Sequence, residues 1–403
     1  HFEKKISKTF KRKYLGGNGF GAYLLYQEVE PHIDPLSEKN VLIMATGPLT
    51  GTPFTSSAMT AVVTKSPLTG MFVDSYFGGH YGPELKHAGY DAIVIKGASE
   101  TPVYIAISDG RVDFRDAGHL WGKETFEAQK LILDELGTDT QIACIGPAGE
   151  NLVKYASIIS ETRASGRGGV GAVLGSKKVK AIAVQGTKTI SIRNTKALLD
   201  FTINNNTKLR DHPQAGKNFP TYGSTAAPAT YSAMGILGTK NWQTETFPGA
   251  EKISGEHNKA KGLLVRSRSC NTCIIRSSKI WKAGTGPYHG QVAEGPEYET
   301  QFSLGSLCGN DNFDSIVTAD RLCDELGIDT ITAGATIAFA MECFEKGYLT
   351  VEDTDGIDLN FGNHQAIIEL LKKIAYCEGC GNLLAEGSKR VAEKLGPEIE
   401  KLA

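Results

Sequence analysis

The sequence predicts an α+β protein in which a β-rich N-terminal domain precedes a mainly helical one. Short apolar runs that end at glycine or proline recur before residue 190, whereas apolar residues at helical spacing dominate after about residue 312. A polar stretch around residues 204–206 separates these two patterns. We therefore expect one domain over residues 1–190 and a second over residues 191–403.

Each predicted element has a local signal. The predicted strands of the first domain are apolar runs followed by turn residues, over 41–45, 61–64, 92–95, 103–107 and 181–184. The runs 92–95 and 103–107 flank a turn-forming stretch, which predicts a hairpin or an adjacent strand pair. One helix is predicted before Gly137, and four more follow in the second domain, over 125–136, 314–326, 332–346, 364–375 and 383–395.

Composition excludes several classes of protein. The 403 residues carry 43 Lys and Arg against 45 Asp and Glu, a formal charge of −2, without the basic excess of a nucleic-acid binder. No apolar run approaches the length of a membrane span. The 8 cysteines are too sparse for a disulfide scaffold and no apolar leader accompanies them, so we expect a reducing, cytoplasmic compartment.

Two glycine-rich loops are candidate binding sites. Residues 163–172 place four glycines within six residues beside Arg163 and Arg167, a combination that can bind an anion through backbone N–H groups and guanidinium groups. A tight structural turn is the alternative. Residues 76–82 alternate aromatic residues with glycine, which favours stacking on a flat heterocycle or simple aromatic packing. A third run, 16–21, lacks both the preceding strand and the GxGxxG spacing of a dinucleotide site.

Cysteine pairs and acidic turns offer further chemistry. Cys270 and Cys273 form a CxxC motif, which indicates a redox pair, half of a metal site, or chance. A second CxxC, at Cys377 and Cys380, would complete a zinc site only at an unusually long separation. Residues 294–299 form either a solvated acidic loop or an acid/base site. Residues 324–329 read as a helix end and a new N-cap, or as carboxylates facing a ligand.

Taken together, these segments resemble the tungsten-pterin aldehyde:ferredoxin oxidoreductase family. The matching segments extend over almost the whole chain: 47–52, 64–70, 84–86, 88–93, 145–151, 163–175, 294–299, 324–329 and 384–387. The resemblance implies an N-terminal saddle of β-sheets that acts as a pterin platform, followed by largely helical domains. Agreement at this density is implausible by chance.

The resemblance also implies cofactors and a reaction. A tungsten (or molybdenum) ion would be held by the dithiolenes of two pterins, beside a [4Fe-4S] cluster, with Mg²⁺ bridging the pterin phosphates. An aldehyde and water would become a carboxylate, and two electrons would leave through the cluster to ferredoxin or an electron-transfer subunit. We expect no nucleic-acid partner and no membrane span.

Site residues carried over from the resemblance fall into four groups. The phosphate-side loops correspond to Tyr76, Gly78, Gly79, Arg163, Ala164, Gly166, Arg167, Gly168 and Gly169. The first pterin motif, of DxxGL(C/D) type, corresponds to Asp324, Gly327, Ile328 and Asp329. Glu299 corresponds to a glutamate beside the metal, a candidate proton acceptor. The cluster ligands correspond to Cys270, Cys273 and, at the third cysteine position, Ser277.

The chain departs from the family pattern at several of these positions. Ser277 replaces a cysteine, Tyr76 replaces an asparagine, and Met59 replaces a pterin-binding arginine. Thr318 and Arg321 replace an ExxH pair, so we expect a homodimer, if one forms, to lack a bridging iron. The fourth cluster cysteine and the second pterin motif are expected beyond the end of the chain.

These departures keep other hypotheses open. A truncated or non-catalytic pterin-binding scaffold is the main alternative, because the cluster site is incomplete. A zinc protein that uses both CxxC pairs is a more distant one. We expect Cys380 to act as a small buried hydrophobic residue.

Overall fold

The computed structural model describes residues 1–403, which divide into two compact units. The first unit comprises His1–Lys208 and Ser269–Ile274, and the second comprises Leu209–Arg268 and Ile275–Ala403. The short segment Ser269–Ile274 carries the first CxxC motif, which the sequence had placed in the helical domain. Its hydrogen bonds, described below, explain why it groups with the first unit.

The first unit is built on two β-sheets. Its strands are β1 (Leu42–Thr46), β2 (Thr60–Lys65), β3 (Phe72–Phe77), β4 (Ala92–Ile95), β5 (Val103–Ser108), β6 (Arg111–Asp116), β7 (Gln141–Cys144), β8 (Ile158–Ser160), β9 (Arg163–Ser165) and β10 (Val179–Gln185). The four-stranded sheet has the order β3-β2-β1-β4 and is antiparallel throughout. The six-stranded sheet has the order β6-β5-β10-β7-β8-β9, in which only β5 and β10 run parallel.

Helices cover these sheets and bury both faces of the central strands. They are α1 (Lys8–Tyr14), α2 (Asn18–Glu28), α3 (Tyr81–His87), α4 (Thr125–Leu136), α5 (Pro147–Glu150), α6 (Val170–Ser176) and α7 (Thr195–Asp211). Ile105 on β5 joins a core that includes β1 and α6, whereas Tyr104 faces a second core that includes Ile132 of α4. This alternation explains why β5 reads in the sequence as a continuous apolar run.

The second unit has one small antiparallel sheet and is otherwise helical. The sheet comprises β11 (Leu264–Arg268), β12 (Ser278–Lys282) and β13 (Val292–Glu294). The helices are α8 (Phe219–Tyr222), α9 (Ala227–Ala233), α10 (Gly255–Ala260), α11 (Tyr298–Ser303), α12 (Phe313–Leu326), α13 (Thr330–Glu345), α14 (His364–Tyr376), α15 (Cys380–Leu384) and α16 (Ser388–Leu395). Trp281 of β12 packs on Phe313 of α12 in its core. The predicted fold class, a β-rich part followed by a helical part, is confirmed.

The predicted pairing of 92–95 with 103–107 is wrong. β4 pairs with β1 in one sheet, whereas β5 pairs with β6 and β10 in the other. Lys177 fixes the chain segment that connects β4 to β5. Ser99 N–H donates to Lys177 O at 3.0 Å, and the buried Lys177 ammonium donates to Gly97 O at 3.0 Å. The turn residues between 95 and 103 therefore mark a connection between two sheets rather than a hairpin.

The polar stretch at 204–206 is not a loop but lies within α7. Asn194 accepts a hydrogen bond from Ala197 N–H at 3.0 Å, which caps the start of this helix. Only Thr202 is fully buried along α7; Asn204 is exposed, and Asn205 and Asn206 are half-buried, so most of this helix faces solvent, where weak helix propensity is tolerated. The 16–21 glycine run follows α1 rather than a strand, in agreement with the rejection of a dinucleotide site. None of the helices has the length and hydropathy needed to span a bilayer.

Candidate functional site

The Tyr76 loop lies at the end of β3 and borders a cavity. Tyr76 is paired with Ala61 of β2, and its ring, 40% exposed, lines a cavity of about 310 Å³ together with Phe54 and Met59. Its hydroxyl donates to Asp74. Desolvation, followed by the Asp74 carboxylate, raises the pKa of Tyr76 to about 12, so its phenol stays protonated.

The Arg163 loop lies directly beside the Tyr76 loop. A Cβ added to Gly79 would lie 3.5 Å from Arg163 Cγ, which places that side chain in van der Waals contact with the loop. Arg167 N–H donates to Ser75 Oγ at 3.2 Å. The structure therefore brings together the two glycine-rich loops that the sequence singled out in the first unit.

Packing alone accounts for most glycines of the Arg163 loop. Gly168 and Gly169 both have φ of +76°, in the region that favours glycine. A Cβ on Gly169 would lie 2.1 Å from Lys154 O, and one on Gly171 would lie 2.4 Å from Ser157 O. The dense glycine run thus lets backbone segments touch, as the structural alternative proposed.

The CxxC segment docks against the Tyr76 loop and the preceding turn. Asn271 N–H donates to Gly79 O at 3.1 Å. Thr272 Oγ1 donates to Phe54 O at 2.9 Å, and Ile274 N–H donates to Thr55 Oγ1 at 3.2 Å. These three bonds fix the segment in the first unit. Only tertiary structure reveals them, because Phe54 and Thr55 carry no motif.

Both thiols of this segment lie against other residues of the first unit. A Cβ on Gly78 would lie 2.7 Å from Cys270 Sγ, so the absence of a side chain there admits the sulfur. Cys273 Sγ lies 3.4 Å from Ser56 Oγ. Both cysteines are half-buried. Gly78 thus has a definite function, which is to let a thiol approach the loop.

No complete metal-ligand set is assembled in the structure. No group of three or more His, Cys, Asp or Glu side chains is arranged to hold a metal ion. Ser277 belongs to the second unit, where its carbonyl accepts from Lys279 Nζ at 3.2 Å. A [4Fe-4S] cluster takes four thiolates, and the described residues offer Cys270 and Cys273 from one loop.

In the second CxxC motif, Cys380 is not the fully buried residue that the sequence predicted. Cys377 and Cys380 are both half-buried. Cys380 N–H donates to Asp355 Oδ2 at 2.8 Å. Burial, and then the hydrogen bond with Asp355, raises the pKa of Cys380 to about 12, so its thiol stays protonated. The expectation for Cys380 overlooked this carboxylate, which is distant in sequence.

Of the three glutamates in the acidic turn, Glu299 alone lacks a partner. Glu294 accepts from Arg268 Nη1 at 2.6 Å and from Ser278 Oγ at 2.5 Å, and Glu297 accepts from Ser224. Glu299 lies exposed in the first turn of α11 with no hydrogen bond or ion pair. It is the carboxylate of this turn that remains open to a ligand.

The turn from 324 to 329 links α12 to α13. Gly327 has φ of +73° and ends α12, while Ile328 is 1% exposed. The Asp329 side chain caps α13 by accepting from Thr332 N–H at 3.0 Å. Helix capping therefore explains Gly327 and Asp329, and Asp324 stays half-buried at the end of α12.

A hydrogen bond joins this turn to the Glu299 segment. Thr300 Oγ1 and Thr330 Oγ1 lie 3.0 Å apart, which connects the first turn of α11 to the start of α13. The second unit thus brings Glu299 near the 324–329 turn. Sequence reasoning missed both threonines and the neighbouring buried Asp320, because none belongs to a motif.

Comparison with known proteins gives a consistent result along the chain. Residues 2–186 match the model for the aldehyde ferredoxin oxidoreductase N-terminal domain, and residues 200–403 match that for aldehyde ferredoxin oxidoreductase domains 2 and 3. The chain is 46% identical over 400 residues to a tungsten-containing aldehyde ferredoxin oxidoreductase of Pyrococcus furiosus. A protein of the same name from Thermococcus kodakarensis is 45% identical over 400 residues.

A solved structure shows the same fold. The active site complex BamBC of benzoyl coenzyme A reductase, with 1,5 dienoyl-CoA, matches with a TM-score of 0.82 and 31% identity over 98% of this chain and 61% of that one. Both named relatives align with 98% of this chain, which spans 65% of their own length. The chain belongs to the aldehyde ferredoxin oxidoreductase family.

Proposed function

We propose that this chain supplies the pterin-binding part of an oxidoreductase that converts an aldehyde to a carboxylic acid at a tungsten or molybdenum centre. The observation that carries the proposal is the 46% identity, over 98% of the chain, to a relative named as a tungsten-containing aldehyde ferredoxin oxidoreductase. Electrons would leave through an iron–sulfur cluster to ferredoxin or to an electron-transfer subunit. The protein would act in the cytoplasm, and a homodimer would lack a bridging iron.

The first unit fits a flat, phosphorylated ligand on two counts. The cavity beside Tyr76 has about 310 Å³, at the small end of ligand sites, and Phe54 and Met59 give it apolar walls. Arg163 lies beside Gly79, where a guanidinium group can pair with a phosphate. This loop pair would hold the pterin phosphates and Mg²⁺, with Ala164 exposed at its rim.

The donor set for the cluster fits only in part. Cys270 and Cys273 would supply two thiolates from a loop that three hydrogen bonds hold in place. Ser277 is a weaker iron ligand than a thiolate.

Glu299 is the proposed proton acceptor. The metal centre, when bound, would supply the two-electron oxidation. Addition of water to an aldehyde and its conversion to a carboxylic acid release protons, so a nearby base assists the reaction. Glu299 is exposed, has no partner, and lies on a helix whose first turn is tied to α13. Its carboxylate can therefore accept a proton without breaking an existing bond.

The experiment is Glu299→Gln in the full protein loaded with its cofactor. We expect the variant to lower kcat by about 10²–10⁴-fold, the usual contribution of a general base. Glu352→Gln, at another exposed glutamate, is the matched control and should leave kcat unchanged. Equal turnover of Glu299→Gln and the wild type would remove Glu299 from the mechanism.

A non-catalytic pterin-binding scaffold is the second candidate, favoured by Ser277 at a cluster-cysteine position and Met59 at a pterin-binding arginine position. Metal and pterin analysis of anaerobically purified protein separates the two. The enzyme should contain tungsten or molybdenum, pterin and iron, and should reduce a viologen with aldehyde. The scaffold should contain pterin without cluster absorbance and without turnover.

A further inference from the structure

A buried aspartate lies behind the Glu299 turn. Asp320 of α12 is 8% exposed, and its Oδ2 atom has no hydrogen-bond partner. This oxygen faces the backbone of Gly295, where an added Cβ would lie 2.1 Å from it. Asp320 therefore occupies the space that a side chain at position 295 would need.

No cation compensates a charge at Asp320. Two other carboxylates, Glu294 and Glu297, lie close enough to disfavour its ionisation. The cations beside these two carboxylates are already bound: Arg268 is paired with Glu294, and the Lys279 ammonium, which interacts with Glu297, donates to backbone carbonyls. Arg321, the next residue on the helix, is paired with Glu325. On its own helix, the buried Cys323 thiol is a neutral neighbour.

An ionised Asp320 would thus be a buried charge that faces two like charges, which is costly. Desolvation, and then the carboxylates of Glu297 and Glu294, raises the pKa of Asp320 to about 8. The neutral acid avoids this cost. It also gains an O–H group that can donate.

Thr300 is the polar side chain beside that group, and its hydroxyl, facing the carboxylate as a donor, partly offsets the rise in the pKa of Asp320. Thr300 Oγ1 also lies 3.0 Å from Thr330 Oγ1. A neutral Asp320 can donate to Thr300, which in turn donates to Thr330. This chain of bonds leads from α12 through the residue next to Glu299 to the start of α13.

We propose that Asp320 is kept as a neutral carboxylic acid and that, through Thr300, it positions the helical turn that bears Glu299. The positioning part rests on the function proposed above, whereas the neutral acid does not. Ionisation at alkaline pH places a charge against Gly295 and Glu297 and loosens this turn. Asp320 is thus a positioning residue that becomes less effective as pH rises.

Asp320→Asn mimics the neutral acid, because its amide donates to Thr300 and never ionises. A carboxyl whose folded-state pKa is raised stabilises the fold below its unfolded pKa, and this stability is lost as pH rises through the folded value. We therefore expect the wild-type Tm to fall relative to Asp320→Asn by at least roughly 2–4 °C as pH rises from about 5 to about 8, and the difference to stay level above that.

Asp314→Asn is the matched control on the same helix. Asp314 is also 8% exposed, but its carboxylate accepts from Gly284 N–H, Thr285 N–H and Thr285 Oγ1. This variant should lower Tm without the pH dependence expected from the comparison with Asp320→Asn. Difference infrared spectra of Asp320→Asn against the wild type should also show the loss of one protonated carboxyl band at neutral pH.

The outcomes separate this inference from the proposed function. A Tm difference that does not vary with pH, or no lost carboxyl band, overturns the neutral acid whether or not aldehyde is oxidised. If aldehyde is oxidised, wild-type kcat should fall several-fold as pH rises from about 7 to about 9, where Asp320 ionises in the folded protein, and the Asp320→Asn rate should not. Parallel pH profiles would overturn the positioning role while leaving the function intact.

Discussion

The loops at Arg163 and Tyr76 look alike in sequence, yet their glycines serve different ends. In the Arg163 loop, Gly169 and Gly171 are fixed by contacts with backbone carbonyls of the same unit. In the Tyr76 loop, Gly78 opens space for a thiol and Gly79 lies against an arginine side chain. One loop uses glycine to close a core, and the other uses it to bring reactive groups together.

This difference teaches that glycine density does not by itself indicate a ligand site. Glycine is required wherever backbone must approach another atom closely, whether that atom is a carbonyl oxygen, a sulfur or a ligand. What distinguishes the loops is the identity of the neighbour. That neighbour is set by tertiary structure, so variants that add a single methyl group test the comparison directly.

The largest effect is expected for Gly169→Ala. The new Cβ would lie 2.1 Å from Lys154 O, and the residue has φ of +76°, so we expect a loss of at least about 3 kcal/mol in the free energy of unfolding. Denaturant unfolding measures it. Gly70→Ala is the control, because Gly70 has a similar φ of +73° with open space around it and should lose only about 1 kcal/mol. Equal losses would mean that backbone conformation, not contact, requires the glycine.

An intermediate effect is expected for Gly78→Ala. Its Cβ would lie 2.7 Å from Cys270 Sγ, which can shift, so we expect a loss of about 1–2 kcal/mol and a changed rate of Cys270 alkylation. Removing the sulfur as well, in Gly78→Ala/Cys270→Ala, should recover part of this loss. Strict additivity of the two single changes would show that the sulfur and the glycine are not in contact.

The smallest effect is expected for Tyr76→Phe. The hydroxyl that is removed makes an exposed hydrogen bond with Asp74, so the free energy of unfolding should change by no more than about 0.5 kcal/mol. Denaturant unfolding of Tyr76→Phe and Gly78→Ala under the same conditions compares the two losses in the free energy of unfolding. A loss as large as that of Gly78→Ala would show that the Tyr76 loop depends on this bond for its shape.

Local signals predicted the elements but not their partners. The helix 125–136 was predicted at its observed bounds, and 314–326 differs from α12 by a single residue, because apolar periodicity and a following glycine define both. The predicted pairing of β4 with β5 was wrong because the two strands belong to different sheets. Lys177 binds the connection between them, and the turn residues of that connection carry no sign of this. α7 was missed because polarity was taken for irregular structure.

The candidate site shows the same division. The CxxC motif and the glycine loops were visible in the sequence, since each is a local pattern. Thr300, Thr330 and Asp320 were not, because their importance comes from burial and from contacts over long sequence separations. The signal of Asp320 is an unpaired buried oxygen, and that of the two threonines is their mutual hydrogen bond; both are visible only in the tertiary structure.

The six residues 269–274 group with the first unit although the chain on both sides of them belongs to the second, and this affects how the protein can be divided. A break between the two regions that the family models cover, after residue 186 and before residue 200, looks like a natural cut. It would place Cys270 and Cys273 on one fragment and their anchors, Phe54, Thr55 and Gly79, on the other. Fragments made at that point would therefore have to reassociate before the segment that carries the two thiols could form these hydrogen bonds again.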